Sequence, residues 1–218
     1  MGIKRGGIIW AIAFLIILGA AAYFIFTGFN FKETVSPLPD SANESNSLSN
    51  YNPSGNLSSE AEIYGLESRI HYLVNAEREK NGLDKLGLDQ QLSDIARKHS
   101  EDMVQNDFFE HLNLNGQDPK ARAEAAGYRC VKDYGSYYAE GIAENIFKCW
   151  TYGSIKYVND IEASRDWHTA EEIAKLTVES WMNSTSHREN ILTASFDREG
   201  IGVALSSEGK VLVTEDFC

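Results

Sequence analysis

The apolar positions of this 218-residue chain fall into three successive patterns. The first is a nearly continuous apolar run that contains no charged residue from Gly6 to Phe31. The second, residues 32–59, is rich in Ser, Asn and Pro and has few large apolar side chains. From residue 60 onward, apolar positions recur at helical and strand spacings. This order predicts a membrane helix, a linker and a folded domain.

The first segment predicts a transmembrane anchor. A helix needs about 20 apolar residues to cross the hydrocarbon core of a bilayer, and this run is longer than the roughly 7–15 residues of a signal-peptide core. Lys4 and Arg5 are the only charged residues before residue 32, which favours a cytoplasmic N-terminus. The alternative is a signal peptide cleaved near the alanines at 20–22, after which the protein would be secreted. In both cases we expect an extracytoplasmic domain.

The three patterns define the predicted domain boundaries. Residues 1–31 form the cytoplasmic tip and the anchor helix. Residues 32–59 are predicted to be a disordered stalk, because they lack the apolar side chains that would offset the entropy of ordering. Such a segment acts as a flexible linker between the membrane and the domain. Residues 60–218 are predicted to form the folded domain, whose length is ordinary for a single domain.

Four helices are predicted in the domain, each from a capping residue that precedes an apolar stripe of helical spacing. Ser, Thr or Asp at such a position accepts a hydrogen bond from a backbone N–H group of the first helical turn. Gly82 suits the end of the first helix, and Pro119 suits the first position of the third. The capping residues are, in order, Ser58 or Ser59, Asp89, Asp118 and Thr169.

Two of these helices make specific predictions about the core. On the second helix, His99 lies on the apolar stripe near Met103, so we interpret it as a core histidine rather than a ligand. On the fourth helix, Ile173, Leu176 and Trp181 are predicted to form the inner face.

Strands are predicted mainly at the end of the chain. The runs GIGVAL (200–205) and VLVTEDF (211–217) surround the turn SSEG and predict a β-hairpin. The run FKCWTYGSIKYV (147–158) is rich in aromatic and β-branched residues and predicts a further strand. Helices combined with a small, mostly antiparallel sheet predict an α+β layered fold.

Several motifs, taken in order, resemble the CAP superfamily (cysteine-rich secretory, antigen 5 and pathogenesis-related proteins) in its prokaryotic SCP-like branch. They span roughly residues 70–217. The resemblance implies a three-layer α-β-α sandwich with a cleft that contains histidines and acidic residues. The motifs are LVNAEREKNGLDKLGLDQQLSDIARKHSEDM, FFEH, GQDPKARAEAAGY, AENI, SWMNSTSHRENIL, REGIGVAL and VTEDF.

The resemblance also implies which residues lie in the cleft. They are His111 in FFEH, Glu144 in AENI and His187 in SHREN, while the family's further acidic position corresponds to Ser184 here. Two imidazoles and a carboxylate could bind zinc or another divalent metal, with water completing the coordination, and such a water could act as a nucleophile. The alternative is structural, with Glu144 accepting hydrogen bonds from the histidines. These residues are therefore candidates for metal binding or catalysis.

The function favoured by the sequence is that of a binding module rather than an enzyme. Some members of the family bind sterols or lipids, which implies a lipid, a small hydrophobic molecule or a cell-envelope glycan as the ligand. The alternatives are a metal-dependent hydrolase that uses the three cleft residues, and a purely structural envelope protein. The net charge is −12, and no basic stripe is present, which disfavours nucleic-acid binding.

Other residue types leave alternatives open. Export permits disulfides, and Cys130 and Cys149 could close a moderate loop that leaves Cys218 free, although three cysteines allow other pairs. Arg78 and Arg122 are expected to pair with carboxylates near helix ends.

The segment 150–170 departs from the shorter family pattern and is interpreted as an insertion at the cleft rim. Its aromatic residues are expected to pack against the sheet. The alternative is that exposed rings bind a lipid or a glycan.

Overall fold

The structure is a computed structural model that describes residues 57, 59–133 and 135–218. The predicted anchor and nearly all of the predicted stalk lie outside these residues. Within the described part of the chain, no helix has both the length and the apolar composition needed to cross a bilayer.

The described residues form five helices and eight strands. The helices are α1 (Glu60–Lys80), α2 (Gln90–Gln105), α3 (Pro119–Ala125), α4 (Ala170–Asn183) and α5 (Thr185–Ile191). The strands are β1 (Gly87–Leu88), β2 (Val131–Asp133), β3 (Tyr138–Glu140), β4 (Ala143–Trp150), β5 (Tyr152–Val158), β6 (Ile161–Trp167), β7 (Arg198–Leu205) and β8 (Lys210–Phe217).

The predicted helix starts are confirmed. Ser59 caps α1 and Thr169 caps α4, and in both cases a glutamate three residues later completes a capping box. Asp89 and Asp118 accept backbone hydrogen bonds at the starts of α2 and α3. Gly82, just after α1, adopts the left-handed conformation with φ of 73°, which suits the end of a helix.

A four-stranded sheet lies at the centre of the domain, in the order β1-β7-β8-β4. The strands β7, β8 and β4 are antiparallel neighbours, whereas β1 is parallel to β7. In this register, Glu144 lies opposite Asp216 and Ile201 lies opposite Glu215. Side chains alternate between the two faces along a strand, so the adjacent residues Glu215 and Asp216 point to opposite faces.

The helices α1 and α4 cover one face of this sheet. Ile70 of α1 and Trp181 of α4 are fully buried in the same cluster as Val203 and Val213 of the sheet, and the Trp181 indole donates a hydrogen bond to a carbonyl of β4. The prediction that Leu176 belongs to the inner face is wrong. Its side chain lies toward solvent, and the residue is 38% exposed, because Thr177 and Val178 are the buried positions of that turn.

The helix α2 covers the opposite face at unusually short range. A Cβ atom placed on Gly202 would lie 1.9 Å from the backbone nitrogen of Arg97, and one on Gly200 would lie 2.2 Å from the carbonyl carbon of Leu92. Only glycine permits this approach, so the GIG sequence of β7 fixes the depth at which α2 packs. The layers are therefore α-β-α, as expected from the resemblance.

The segment that follows β4 forms a ribbon rather than one long strand. The predicted strand 147–158 is interrupted at Thr151, and β5 pairs with β6 in a separate two-stranded sheet. Its turn residues Asn159 and Asp160 have φ angles of 52° and 65°, typical of a tight hairpin turn. Trp150 and Trp167 are 40% and 45% exposed, so the expectation that these aromatics pack against the sheet is wrong.

The disulfide joins Cys130 to Cys218. Cys149 is the remaining free thiol, and burial raises its pKa to about 12. The alternative in which Cys130 pairs with Cys149 is therefore wrong. The disulfide ties the segment after α3 to the end of β8, next to Leu92 and Tyr128 in the α2-side core.

Candidate functional site

Glu144 is the centre of the candidate site. It lies on β4 and faces α2, and its side chain is only 1% exposed. One carboxylate oxygen, Oε1, lies 2.7 Å from Nδ1 of His111. The other, Oε2, accepts a hydrogen bond from the Arg122 guanidinium. Both oxygens are therefore held by side chains of the domain itself.

His111 forms the solvent-facing side of this cluster. Its side chain is 50% exposed, although its Nδ1 is bonded to Glu144. This hydrogen bond is the main cause that raises the pKa of His111, and burial opposes it. The sequence placed His111 and Glu144 together by motif, and the structure brings their side chains into direct contact.

Arg122 is the residue that closes the site from α3. Its guanidinium donates to Glu144 and also to the backbone carbonyls of His111, at 2.7 Å, and Gln117, at 3.3 Å. Arg122 pairs with a carboxylate, as expected, but that carboxylate is buried on strand β4 rather than near a helix end. Arg122 therefore fixes both the carboxylate and the loop that carries His111.

Arg78 was also expected to pair with a carboxylate, and the structure shows a different set of partners. Its guanidinium donates to backbone carbonyls of four residues rather than to a carboxylate. These carbonyls belong to Asp84, Ile191, Thr193 and Phe196. Arg78 thus ties the end of α1 to the α5–β7 connection, away from the site.

His99 is buried on α2, as predicted, but it belongs to the same cluster. Its Nε2 lies 3.0 Å from the backbone carbonyl of Glu110 and 4.0 Å from Oε2 of Glu144. A carbonyl only accepts hydrogen bonds, so the neutral ring carries its proton on Nε2. Burial is the main cause that lowers the pKa of His99, and the charge of Arg122 lowers it further. A neutral His99 therefore supports the loop before His111.

Asp216 is a site residue that the sequence reasoning missed. It is fully buried, lies opposite Glu144 in the β4–β8 register, and neither carboxyl oxygen has a hydrogen-bond partner among the described residues. Burial, reinforced by the negative charge of Glu144, raises its pKa well above the ordinary value. The site thus contains a second carboxyl group that favours its neutral form. The available signal was an acidic residue within the apolar run VLVTEDF.

His187 is brought near the site by α5. Asn190 on the same helix donates to the backbone carbonyl of Glu144 and to the side chain of Asn145, and Asn145 donates to the backbone carbonyl of His187. Burial lowers the pKa of His187, and the charge of His111 lowers it further. Within the described part of the chain, the His187 ring forms no hydrogen bond or ion pair. The structure therefore places His187 close to His111 but not in contact with Glu144.

These contacts bear directly on the expected metal site. The residues described contain no group of three His, Cys, Asp or Glu side chains arranged to hold a metal ion. Glu144 is a poor ligand because His111 and Arg122 occupy its two oxygens and protein covers it. Glu144 instead binds Nδ1 of His111, and such a contact fixes the orientation of the imidazole ring while leaving Nε2 available. The residues that could still offer nitrogen atoms to a ligand are His111 and His187.

A second polar cluster lies on the other face of the sheet. Glu199 and Glu215 are both fully buried there. His71 of α1 contacts Glu199 through Nδ1 at 2.5 Å, and Asn145 donates to Glu215 at 2.9 Å. Sequence reasoning assigned no role to His71, because its partner lies 128 residues away in the chain.

The α-β-α sandwich agrees with the CAP class of domain that the motifs implied. Residues 71–217 match the profile of the cysteine-rich secretory protein family (CAP). The chain belongs to this family, as its motifs predicted.

Two proteins of Bacillus subtilis (strain 168) are similar in sequence. The uncharacterized protein YkwD is 30% identical over 172 residues, which cover 78% of this chain and 52% of YkwD. The uncharacterized membrane protein YlbC is 32% identical over 137 residues, covering 63% of this chain and 31% of YlbC. The chain thus spans about half of the first relative and about a third of the second.

A solved structure with a similar fold is that of an outer surface protein from Borrelia burgdorferi. The TM-score is 0.50 at 17% sequence identity, and the match covers 70% of this chain and 91% of the other. This likeness concerns the fold alone.

Proposed function

We propose that this protein is a non-catalytic binding module that is held at the outer side of a cell membrane and binds a cell-envelope component next to His111. The observation that carries this proposal is the state of Glu144. Its carboxylate is buried and bonded to Arg122 and His111. A general base needs an accessible lone pair within reach of its substrate, and Glu144 offers none.

The two remaining imidazoles support binding rather than hydrolysis. His111 is half exposed and its Nδ1 is bonded to Glu144, so its Nε2 is the atom available to a ligand. The raised pKa of His111 favours the protonated ring, in which Nε2 donates a hydrogen bond. The pKa of His187 is lowered, so its neutral ring can both donate and accept. Such a pair suits hydroxyl, amide and carboxylate groups of a ligand. Envelope glycans and their peptides carry all three.

The proposed location rests on the apolar segment before residue 32 and the two cations that precede it. The relative YlbC is named a membrane protein, which agrees with an anchored domain. The acidic charge of the chain gives it no general attraction to anionic lipid headgroups. We therefore favour an envelope polymer over the membrane surface as the binding partner.

Binding can be tested with the full chain purified in detergent and with soluble peptidoglycan fragments that retain their peptides. We expect binding by calorimetry that a metal chelator does not change. The substitutions His111→Ala and His187→Ala should each weaken it about tenfold, which is about 1.4 kcal/mol. His168→Ala is the matched control and should bind normally.

Two outcomes would overturn the proposal. One is cleavage of the fragments that stops when the chelator is added, because this would identify a metal-dependent hydrolase. The other is the absence of binding to the fragments together with normal binding to phospholipid vesicles, because the partner would then be a lipid.

A further inference from the structure

One row of side chains leads away from the candidate site along the α2-facing side of β4. Glu144 and Trp150 stand at its two ends, and Lys148 lies between them on the same face because side chains alternate along a strand. Six residues of strand correspond to about 20 Å at about 3.3 Å per residue. The facing pairs along the row are Glu144 with Asp216, Ile146 with Thr214, Lys148 with Leu212, and Trp150 with Lys210.

A cleft of about 400 Å³ lies over the middle of this row. One wall is the segment 107–109, directly before the loop of His111, and the other is the β7–β8 turn at 206–208. The floor contains apolar side chains, including Met103 and Leu212, while serine, lysine and carboxylate groups form the rim. The cleft therefore combines an apolar base with a polar edge.

Two lysines and two carboxylates line this cleft. Lys210 is bonded to Asp107 at 2.7 Å and also lies 3.9 Å from Glu208, so both carboxylates share this lysine. Lys148 lies over the ring of Phe109, at 4.8 Å from its centre, and forms no ion pair with any described residue. Lys148 is therefore free to meet an anionic group of a ligand.

The far end of the row is aromatic. The Trp150 and Tyr152 rings lie 5.4 Å apart, and Tyr152 and Trp167 lie 6.1 Å apart. Arg165 lies over Tyr152 and Trp167 and is paired with Glu162. Lys210 lies 5.9 Å from the centre of the Trp150 ring and is paired with Asp107, so the cations at this end are already paired with carboxylates. Trp150 and Trp167 both keep a substantial exposed surface and adjoin each other through Tyr152, so they form one contiguous aromatic patch of the kind that marks a binding surface.

We propose that a linear glycan bearing carboxylate groups binds along β4, from the cleft beside His111 to the rings of Trp150 and Trp167. This inference rests on the proposed binding function. Sugar rings have apolar C–H faces that stack on aromatic rings and a hydroxyl rim that suits the polar edge of the cleft. Lys148 pairs with a carboxylate of the chain. An acyl chain would instead require an enclosed apolar pocket, whereas this cleft is open and half polar.

Two soluble probes distinguish the contribution of the aromatic rings from that of Lys148. One is a peptidoglycan glycan strand freed of its peptides, which retains lactyl carboxylates, and the other is a neutral chitooligosaccharide of similar length. With the full chain in detergent, we expect both to bind and the carboxylated strand to bind more tightly. Trp150→Ala should weaken both at least tenfold, whereas Lys148→Gln should weaken only the carboxylated strand.

Matched controls and a second aromatic variant keep the test decisive. Tyr138→Ala removes an even more exposed ring from the β2–β3 ribbon, and Lys85→Gln removes a lysine that is paired with Glu79 outside the row. Neither should change binding. If Trp150→Ala lowers the thermal midpoint, Trp167→Ala replaces it and should also weaken both probes.

Three results would overturn the inference. The first is normal binding of both probes by the Trp150 and Trp167 variants, and the second is an equal effect of Lys148→Gln on the two probes. In these cases the module still binds a glycan, but not along β4. The third is failure of both probes while peptide-bearing fragments bind, which would leave the proposed function intact and exclude a glycan as its ligand.

Discussion

The two faces of the central sheet bury the same kind of group and stabilise it in different ways. On the α2 side, Glu144 and Asp216 lie opposite each other, with the guanidinium of Arg122 bonded to Glu144. On the α1 side, Glu199 and Glu215 are buried with a histidine and an asparagine as their side-chain partners.

The difference shows that either a permanent cation or a bound proton can offset the cost of burying a carboxyl group. A buried carboxylate is costly unless it is paired, and without a fixed partner it keeps its proton instead. Burial raises the pKa of Glu199 to about 8, and it also raises the pKa of Glu215. The α1 face therefore relies on protons. The α2 face combines a proton on Asp216 with a permanent cation, Arg122, which is bonded to Glu144.

The largest expected effect comes from removing that cation. Arg122→Met removes the permanent cation that is bonded to the buried Glu144, and breaking a buried ion pair typically costs about 3–5 kcal/mol. Urea denaturation should show a loss in the free energy of unfolding of this size. Arg129→Gln, which removes an exposed pair with Glu140, is the control and should have a much smaller effect. Equal losses in the two variants would contradict the importance of Arg122.

The disulfide Cys130–Cys218 lies on the α2 side of the sheet, so its removal should affect that face more than the other. Replacing Cys130 and Cys218 by alanine opens a loop with a sequence separation of 88 and should cost about 2–4 kcal/mol. Hydrogen exchange should accelerate in α3, on the stapled side, more than in α4. Cys149→Ala serves as the control for loss of a thiol. An equal increase in the hydrogen-exchange rates of α3 and α4 would show that the disulfide does not stabilise one face of the sheet more than the other.

The pH dependence of stability sharpens the comparison. An unfolded glutamate has a pKa of about 4.3, whereas the pKa of the buried Glu199 is about 8. Between these two values the native protein keeps a proton that the unfolded chain has released, so the contribution of Glu199 to the free energy of unfolding should fall by about 1.4 kcal/mol per pH unit as pH rises. Above about pH 8 the contribution of Glu199 should no longer change.

Glu215→Gln tests the origin of that fall. The amide can donate to Glu199 without a titrating proton, so the decrease in unfolding free energy between about pH 5 and about pH 8 should become smaller. Asp216, whose pKa is also raised, contributes a decrease of the same sign in both proteins. Glu189→Gln, on the exposed surface of α5, should leave the slope unchanged. An unchanged slope in Glu215→Gln would exclude the buried pair as its source.

The smallest effect concerns the two histidines of the cleft. Proton NMR should find the pKa of His111 above 6.5 and that of His187 below it. In His111→Ala, the pKa of His187 should rise but stay below 6.5, because a neighbouring positive charge is lost while burial, the larger cause, remains. A His187 pKa that does not change would place the two rings beyond electrostatic reach.

The sequence predicted the parts of the fold that depend on neighbouring residues. Helix starts at Ser59, Asp89 and Thr169 were predictable because a cap and its partner lie within one turn. The hairpin of β7 and β8 was predictable from two apolar runs around a short polar turn. The boundary between β4 and β5 was not predictable, because aromatic and β-branched residues continue through Thr151.

The site was only partly predictable for the same reason. Motifs identified His111 and Glu144, but the bond from Arg122 to Glu144 and the position of Asp216 depend on strand register and helix packing. The disulfide partner of Cys130 likewise depends on tertiary structure. The acidic residues within the apolar run VLVTEDF indicate buried carboxyl groups. Such groups need a partner or a proton, so this run could have predicted part of the site.

The position of His99 depends on two glycines of β7. Because Gly200 and Gly202 lack side chains, α2 lies directly against the strand backbone, and its histidine reaches the carboxylate of Glu144 at 4.0 Å. An alanine at either glycine would push the helix outward and withdraw the imidazole, although no reactive group had been altered. Variants of this domain that lose function should therefore be sought among its smallest residues as well as its ionisable ones.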